Sequence, residues 1–353
     1  MPTEISRIAE PTLRDFIARA FISTGLAAAD AATVAQLMAE ADLIGADAHG
    51  IFRLPQYVRR IEGGAVNRTP NITVQRTAAA TALVDGDNGM GHLVMSRACD
   101  VAVDMAQEAG IGWVGVRGSN HAGPASLYAA KPLEAGMIGI YSAVASANHM
   151  APWGGTDLLL GTNPLAIAIP AGDGPPLVLD IATTVVSYGT IKNYVLQGKP
   201  FQPGWMIDRK DGAELVDQTR SKDGVLLPIG GYKGAGLALM LGLLAGSLNG
   251  AAVGKAVVDF NADDSSQTNT GHFVLALDIK RFIDPALFAA LVATHVRELR
   301  ESARLPGVDQ IRLPGDERAK RRADRLARGV PMVPELQDVL NKLGGRLGIG
   351  TLT

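Results

Sequence analysis

The sequence has few of the features that mark a secreted, membrane-spanning or nucleic-acid-binding protein. Cys99 is the single cysteine among 353 residues, so no intramolecular disulfide can form and a reducing compartment is expected. The formal charge of −2 at pH 7 provides no basic field for nucleic acid or an anionic membrane. The most apolar window, residues 237–246, is too short to span a bilayer. The N-terminus lacks the apolar run of a signal peptide. These absences predict a cytoplasmic protein with no nucleic-acid or membrane partner.

Aromatic side chains are also scarce, at 5% of the chain, whereas 47% of the residues are hydrophobic and 41 are glycine. This composition favours a tightly packed α/β or α+β enzyme of one large domain or two. Apolar residues recur at helical spacing in two runs between residues 12 and 44, and strand and helix patterns alternate over residues 72–181. The pattern predicts a helical N-terminal module followed by an α/β core. Residues 237–248 are predicted to form a buried helix, and residues 316–328 a helix with a solvated, charged face.

Most short catalytic motifs are absent or misplaced. Residues 110–115 match the pattern G-x-G-x-x-G, but a dinucleotide fingerprint follows a strand and opens a helix, whereas this segment follows a helix and is predicted to be a strand. No phosphate-binding G-x-x-x-x-G-K-[ST] motif and no nucleophile motif G-x-S-x-G occurs. The six histidines are scattered without the i, i+4 spacing of a zinc helix, so the sequence predicts no metal site.

One short segment carries residues suited to acid/base chemistry. His49, Arg53 and Tyr57 are spaced four apart, so a helical turn would set all three on one face. Gly50 and Pro55 predict a helix end, a bend and a new helix start. An arginine can hold a small carboxylate, and a histidine beside it can move one proton. The alternative is a helix end with a solvated Arg and a half-buried Tyr, which the spacing alone favours.

Two further candidate sites follow apolar strands. Asn120 and His121 lie between a strand and a helix, where they either contact a ligand or only cap the helix. Asp180 ends another apolar strand and needs a partner if it is buried. That carboxylate could orient a catalytic imidazole.

Three turns contain weaker candidates. Thr162 and Asn163 precede a strand, in a turn that suits either ligand binding or an Asx turn. Lys233 lies in a glycine-rich turn that either holds phosphate or only allows close packing. Residues 314–316 form a loop that predicts little by itself.

Taken in order, several short stretches resemble the malate/L-lactate dehydrogenase family, which lacks a Rossmann fold. The resemblance runs from about residue 41 to residue 331, and the ordered set is more specific than any single motif. The stretches are ADLIGADAHG (41–50), SNHAG (119–123), APWGG (151–155), GTNP (161–164), LDIAT (179–183), GYKG (231–234) and LPGD (313–316). The resemblance implies a non-Rossmann α/β fold of this family's type. Residues 1–70 would form the helical module and pack with 260–353, and residues 71–259 would form a mixed-sheet nucleotide-binding core.

The resemblance also implies an NAD- or NADP-dependent oxidoreductase that reversibly reduces a small 2-oxo acid. His49 matches a position proposed as acid/base in several members, and Arg53 matches the arginine that faces the substrate carboxylate, with Tyr57 on the same face. His121 matches a second acid/base candidate, and Asp180 is expected to steady the imidazole or share the proton. The resemblance further implies a small carboxylate substrate and a homodimer.

The matched stretches supply the predicted cofactor-binding residues. These are Asn120, His121, Thr162, Asn163, Asp180, Ile181, Lys233, Gly315 and Asp316. NAD and NADP are not distinguished, because no Rossmann acidic residue is present to interpret.

The chain departs from the family pattern at three places that concern the substrate and the cofactor phosphates. Ala48 replaces the usual Ser before the histidine, Val144 and Ala145 replace a Thr-Asn pair, and Thr190 replaces a Lys. Two alternatives therefore stand beside 2-oxo acid reduction. One is reduction of a cyclic imino acid such as piperideine-2-carboxylate or pyrroline-2-carboxylate, and the other is a non-catalytic nucleotide-binding relative.

Overall fold

The computed structural model describes residues 6–172 and 174–352. Its helices are α1 (Glu10–Ser23), α2 (Ala28–Leu43), α3 (Leu54–Glu62), α4 (Gly91–Ala109), α5 (Ser126–Ala130), α6 (Tyr188–Leu196), α7 (Tyr232–Ala245), α8 (Pro285–Glu301), α9 (Asp316–Arg328) and α10 (Pro334–Leu347). Its strands are β1 (Ser6–Ile8), β2 (Thr73–Ala78), β3 (Thr81–Asp85), β4 (Ile111–Ser119), β5 (Ile138–Ala143), β6 (Asn148–Met150), β7 (Leu160–Gly161), β8 (Leu165–Ile169), β9 (Leu177–Ile181), β10 (Met206–Asp208), β11 (Gly224–Leu226), β12 (Thr270–Leu277) and β13 (Val330–Met332). The predicted alternation of strands and helices is confirmed.

A seven-stranded mixed sheet organises the core, in the order β2-β3-β4-β12-β5-β8-β9. β3 and β4 are parallel, and the other neighbouring strands are antiparallel. β12 lies between β4 and β5, with Val274 opposite Val114 on one side and Tyr141 on the other. The sheet and the helices against it make a mixed α/β fold, as predicted. The rejection of the glycine pattern at residues 110–115 is also confirmed, because α4 ends there and β4 begins.

Two large hydrophobic clusters are buried in the described part of the chain. One packs α4 and α5 against the sheet, with Met105, Val116 and Tyr141 among its buried members. The other joins α1, α2 and α3 to the C-terminal elements, and includes Phe16 and Leu340. The short pair β1–β13 also ties the two chain ends together. The division at residues 70 and 259 stays a prediction.

The prediction of a buried helix at residues 237–248 is wrong for the single chain. One face of α7 packs on the protein through Ala238, Leu241 and Ala245. The opposite face is open, and Met240 is 56% exposed. The sequence is apolar on all sides of this helix, so it does not distinguish burial within the chain from burial against another surface. None of the helices in residues 6–172 and 174–352 is long and apolar enough to cross a membrane.

α9 is confirmed as a charged helix without buried residues, but its basic side chains are not simply solvated. Arg322 donates to the Glu40 carboxylate at 2.6 and 3.2 Å. Arg325 binds the Asp47 carboxylate and the Asp42 backbone carbonyl. α9 therefore holds the end of α2 and the segment that follows it.

Candidate active site

The segment that carries His49 is shaped by one buried carboxyl group. Two short 3-10 turns on either side of Gly50 precede α3, which confirms the predicted end, bend and restart. A Cβ atom at residue 50 would approach Asp42 Oδ1 to 2.0 Å, so only glycine fits. The Ile51 amide donates to Asp42 Oδ2 at 2.8 Å. Burial raises the pKa of Asp42 to about 8, so the group is protonated at neutral pH.

His49 and His121 come together as a stacked pair, although 72 positions separate them in the sequence. Their ring centroids are 5.2 Å apart and the ring planes differ by 10°. The other face of His121 stacks on Phe260 at 5.1 Å. The Asn-His turn after β4 therefore meets the His49 segment, as the acid/base hypothesis requires.

The hydrogen bonds of His121 indicate which of its ring nitrogens carries the proton. The Tyr57 hydroxyl lies 2.5 Å from Nδ1, and the Gly123 amide donates to the same nitrogen at 3.4 Å. A backbone N–H can only donate, so Nδ1 is an acceptor and Tyr57 donates as well. The hydrogen of the neutral ring is then on Nε2. Burial, helped by the nearby His49, lowers the pKa of His121 well below its usual value.

His49 is also neutral at pH 7 in this environment. Burial, followed by the repulsion of Arg53, lowers the pKa of His49 to about 4. Among the described residues, its buried Nδ1 has no hydrogen-bond partner. The ring is therefore in its basic form, able to accept a proton.

Arg53 and His49 line the same cavity, which has a volume of about 960 Å³. Arg53 donates from Nε to the Ala48 carbonyl at 2.8 Å and from Nη1 to Gln56 Oε1 at 2.7 Å and Asn261 Oδ1 at 3.2 Å. Within residues 6–172 and 174–352, all its acceptors are neutral oxygens. The alternative of a solvated arginine on a helix end is not observed.

Tyr57 is buried and does not line the cavity, although it was expected to contact the substrate. Its side chain is 1% exposed and lies among Phe21, His92, His121 and Phe260. Its hydroxyl bonds to His121. A direct contact with substrate stays a prediction, and the geometry favours a role in holding His121.

Asp180 forms an ion pair with Arg318, which the sequence did not predict. Its Oδ2 accepts from Arg318 Nη1 at 2.9 Å and from the Ser126 amide at 3.0 Å. The expected hydrogen bond from Asp180 to a catalytic imidazole is therefore not observed. Asp180 nevertheless lies close enough to His49 to raise its pKa slightly against the effect of burial.

The predicted cofactor residues Gly315 and Asp316 lie beside the strand that carries Asp180. Gly315 has a φ of +103°, and a Cβ atom there would lie 3.0 Å from the Pro176 carbonyl. The Asp316 carboxylate accepts from the Leu313 amide at 2.9 Å and so closes the turn. The start of α9 therefore lies beside the start of β9, and Arg318 in the first turn of α9 reaches Asp180 near the other end of that strand.

Two predicted cofactor residues already use their side-chain amides inside the protein. Asn120 is 2% exposed, and its Nδ2 donates to the Gly89 carbonyl at 2.9 Å. Asn163 is equally buried and joins the Ala145 amide to the Ala238 carbonyl, at 3.0 and 2.8 Å. Both shape the core around the site, and cofactor contacts from either stay predictions.

The remaining predicted residues lie farther along the same surface. The Thr162 carbonyl accepts from the Thr183 amide and hydroxyl, both at 2.9 Å, and so ties the GTNP stretch to the end of β9. Lys233 is exposed in the first turn of α7. Their cofactor contacts stay predictions.

Sequence reasoning also missed His92, which lies at the start of α4 beneath Tyr57. It is fully buried, its ring meets Tyr57 edge-on at 5.5 Å, and neither nitrogen has a partner among the described residues. Burial lowers its pKa to about 3. No spacing pattern in the sequence could have found it, because its neighbours come from α3 and the 119–123 turn.

Comparison with known proteins gives a consistent result over the whole chain. The family model described as malate/L-lactate dehydrogenase matches residues 8–341. Malate dehydrogenase from Pyrococcus horikoshii is 36% identical over 350 residues, which are 97% of this chain and 96% of the relative. Its structure matches 99% of this chain and 97% of its own, with 34% identity and a TM-score of 0.89.

Two other similar proteins are named for different activities. Ureidoglycolate dehydrogenase (NAD(+)) from Escherichia coli K12 is 30% identical over 334 residues, 95% of each chain. The structure of Δ1-piperideine-2-carboxylate reductase from Pseudomonas syringae has a TM-score of 0.83 and 29% identity, and the match covers 96% of this chain and 99% of that one.

Agreement in sequence and fold over nearly the full length defines an oxidoreductase enzyme. The chain belongs to the malate/L-lactate dehydrogenase family. The hypothesis of a non-catalytic nucleotide-binding relative is set aside on this finding.

Proposed function

We propose that this enzyme reversibly reduces a small 2-oxo acid to the 2-hydroxy acid, with NADH or NADPH as hydride donor. The observation that carries the proposal is that His49, which stacks on His121, lines one cavity together with Arg53. Reduction of a 2-oxo acid needs a cation to bind the carboxylate and a titratable group to transfer the proton. Arg53 and the two imidazole rings can supply them.

The residues present fit a nicotinamide dinucleotide without a Rossmann motif. The cavity is at the upper end of the usual size for ligand pockets, and the buried Nδ1 of His49 has no hydrogen-bond partner among the residues that the structure describes. Strand β9 and the start of α9 beside it, with Asp180, Ile181, Gly315 and Asp316, would hold the cofactor. When bound, the nicotinamide supplies or accepts the hydride.

Arg53 holds the substrate carboxylate in this proposal. Its guanidinium is fixed by neutral acceptors and stacked near Phe52 and Phe260, at 5.8 and 5.9 Å from the ring centroids. A carboxylate would provide the anionic partner that the guanidinium lacks within the described chain. The charge-assisted bond would also orient the carbonyl carbon.

His49 transfers the proton, and His121 acts as a neutral hydrogen-bond donor through Nε2. His49 has a pKa of about 4, so in the empty pocket it is ready to take the hydroxyl proton of a 2-hydroxy acid. In the direction of reduction, a bound carboxylate brings negative charge near the ring and raises the pKa of His49. The Tyr57 hydroxyl donates to Nδ1 of His121 and so keeps the ring hydrogen of His121 on Nε2.

One observation favours the cyclic imino acid as the second candidate substrate. His49 is a weak proton donor at pH 7 because burial keeps it neutral. A protonated cyclic imine already carries its proton, so its reduction needs only the carboxylate-binding cation and the hydride. Parallel assays with 2-oxobutanoate and piperideine-2-carboxylate, followed by nicotinamide absorbance, separate the two substrates.

We also propose a cytoplasmic homodimer in which the open faces of α7 and α8 are covered. Met240 and Leu248 are 56% and 63% exposed, and Leu287 and Leu291 on or near α8 are 51% and 55% exposed. Apolar surface of this kind is typical of an interface between subunits. Sedimentation analysis would test this, and a monomer at micromolar concentration would contradict it.

The decisive test of the proposed chemistry is the substitution His49→Gln. Loss of general acid/base catalysis should lower turnover by about 10²- to 10⁴-fold while cofactor binding is retained. His295→Gln is the matched control, because His295 is exposed on α8 far from the cavity lining. Turnover of His49→Gln near that of the control would remove His49 from the mechanism.

A further inference from the structure

Lys192 is a second cation in the cavity that neither the sequence pattern nor the family resemblance assigned. It lies on α6, lines the same cavity as Arg53, and donates from Nζ to Asn261 Oδ1 at 2.6 Å. Its ammonium group also lies 5.4 Å over the Tyr188 ring. This lysine is two positions beyond Thr190, where the family pattern usually has its lysine.

Arg53 and Lys192 share one neutral acceptor. Asn261 Oδ1 accepts from Arg53 at 3.2 Å and from Lys192 at 2.6 Å, so the two donor atoms are within about 6 Å of each other. Among the described residues, both cations donate hydrogen bonds only to neutral oxygens, and neither forms an ion pair with a carboxylate. Two half-buried positive charges on a single amide oxygen are costly unless an anion is bound.

The Asp259 carboxylate lies near the two cations, but its hydrogen bonds are to Asn261, the residue that supplies the shared acceptor. Asp259 Oδ1 accepts from the Asn261 amide at 2.8 Å and from its Nδ2 at 3.2 Å, which directs Oδ1 of Asn261 toward the two cations. Burial, followed by repulsion from Arg53, lowers the pKa of Lys192 to about 8 in spite of Asp259. The lysine is still mostly charged at pH 7.

Tyr188 and His149 support the lysine from below. Their rings stack with centroids 3.5 Å apart, and Lys192 lies over the Tyr188 face. The side chain is therefore held by a hydrogen bond and a ring contact. These two contacts fix the position of the Lys192 ammonium group, whereas the ammonium group of a flexible surface lysine would be fully hydrated.

We propose that Lys192 determines substrate specificity by binding a second anionic group of the substrate. The inference rests on the proposed function, in which Arg53 holds the 2-oxo carboxylate. The substrate class is then a short 2-oxo acid that carries a carboxylate or sulfonate directly on C3. A monocarboxylate would neutralise only one of the two cations, whereas a dianion neutralises both.

The test compares Lys192→Met with wild type on two substrates of similar length, oxaloacetate and 2-oxobutanoate. Loss of one charge-assisted hydrogen bond should lower kcat/KM for oxaloacetate by about 10- to 100-fold and leave 2-oxobutanoate nearly unchanged. Lys192→Arg should restore part of the preference. Lys199→Met is the control, because Lys199 is exposed just beyond the end of α6 and outside the cavity lining.

Three results would overturn the inference. Equal losses on both substrates would mean that Lys192 binds the same carboxylate as Arg53 or donates the proton. No loss on either substrate would remove Lys192 from recognition. A weaker affinity for NADH or NADPH with unchanged substrate preference would assign the lysine to the cofactor. In each case, wild-type turnover of 2-oxobutanoate would leave the proposed function standing.

A binding measurement separates the two hypotheses if turnover is absent. The dianion malate should raise the Tm of wild type more than 2-hydroxybutanoate does, because a ligand that binds only the folded state stabilises it. In Lys192→Met the two acids should act alike. A wild-type enzyme that distinguishes the two hydroxy acids but reduces no 2-oxo acid would overturn the function and keep the anion site. Equal shifts in wild type would overturn the anion site.

Discussion

Asp42→Asn should stabilise the protein at neutral pH, although it changes a buried residue next to the active site. The Asp42 carboxyl is 2% exposed, and burial raises its pKa from 3.8 to about 8. Asparagine has the same shape as the protonated acid. Its carbonyl oxygen can accept the Ile51 amide hydrogen bond that Asp42 accepts at 2.8 Å.

The size of the effect follows from proton linkage. The folded-state pKa of Asp42 is above the unfolded one, so the unfolded chain gains stability by ionising as the pH rises from about 4 to 8. Each pKa unit corresponds to about 1.36 kcal/mol, so keeping the group neutral at pH 7 costs up to about 4 kcal/mol. Asparagine does not ionise and avoids this cost.

Urea unfolding of wild type and Asp42→Asn between pH 4.5 and pH 8 measures the effect. The gain in unfolding free energy should be about 1 kcal/mol near pH 4.5 and should grow steadily toward pH 8. Asp104→Asn, an exposed carboxylate on α4, is the control for the loss of one charge. A difference that does not change with pH, or an Asp42→Asn protein less stable at pH 8, would refute the assigned protonation state. The variant should keep activity, because the segment that carries His49 keeps its hydrogen bond.

Two further predictions concern the imidazole pair. Tyr57→Phe removes one donor to His121 Nδ1, so kcat should fall about 5- to 10-fold while the KM for cofactor stays the same. An unchanged kcat would show that the Gly123 amide alone sets the tautomer. For oxidation of a 2-hydroxy acid, His49 must be unprotonated, and its pKa of about 4 means that kcat/KM should stay level from pH 7 down to about pH 5. The pH profile measures this, and half-maximal activity near pH 6.5 would contradict the burial of His49.

Local features of the chain could be predicted because they depend on neighbours in sequence. Helix periodicity placed α1, α2 and α4, and Gly50 with Pro55 predicted the break before α3. The glycine pattern at residues 110–115 was correctly excluded as a nucleotide-binding turn because its flanking elements are in the wrong order. His49 and Arg53 were proposed as site residues from the ordered resemblance, whereas their spacing alone favoured an ordinary helix end.

Contacts between distant segments could not be predicted in the same way. The position of β12 between β4 and β5 depends on which arrangement of strands buries the most apolar surface. The exposed face of α7 could not be predicted either, because a helix that is apolar on all sides does not specify which side packs on its own chain. The partner of Asp180 was missed because Arg318 is one of many basic residues in a charged helix.

The sequence by itself identified the candidate acid/base residues, the resemblance to the family and the local bends, since each of these depends on residue type and short-range spacing. Only the tertiary structure decided what those residues do to one another. It buried His49 and so lowered its pKa, joined Tyr57 to His121, and brought Lys192 to the oxygen of Asn261 that Arg53 also uses. The physical reason is that burial and the distances between charges are properties of the packed chain. The pKa of each site residue is therefore set only when the core has formed.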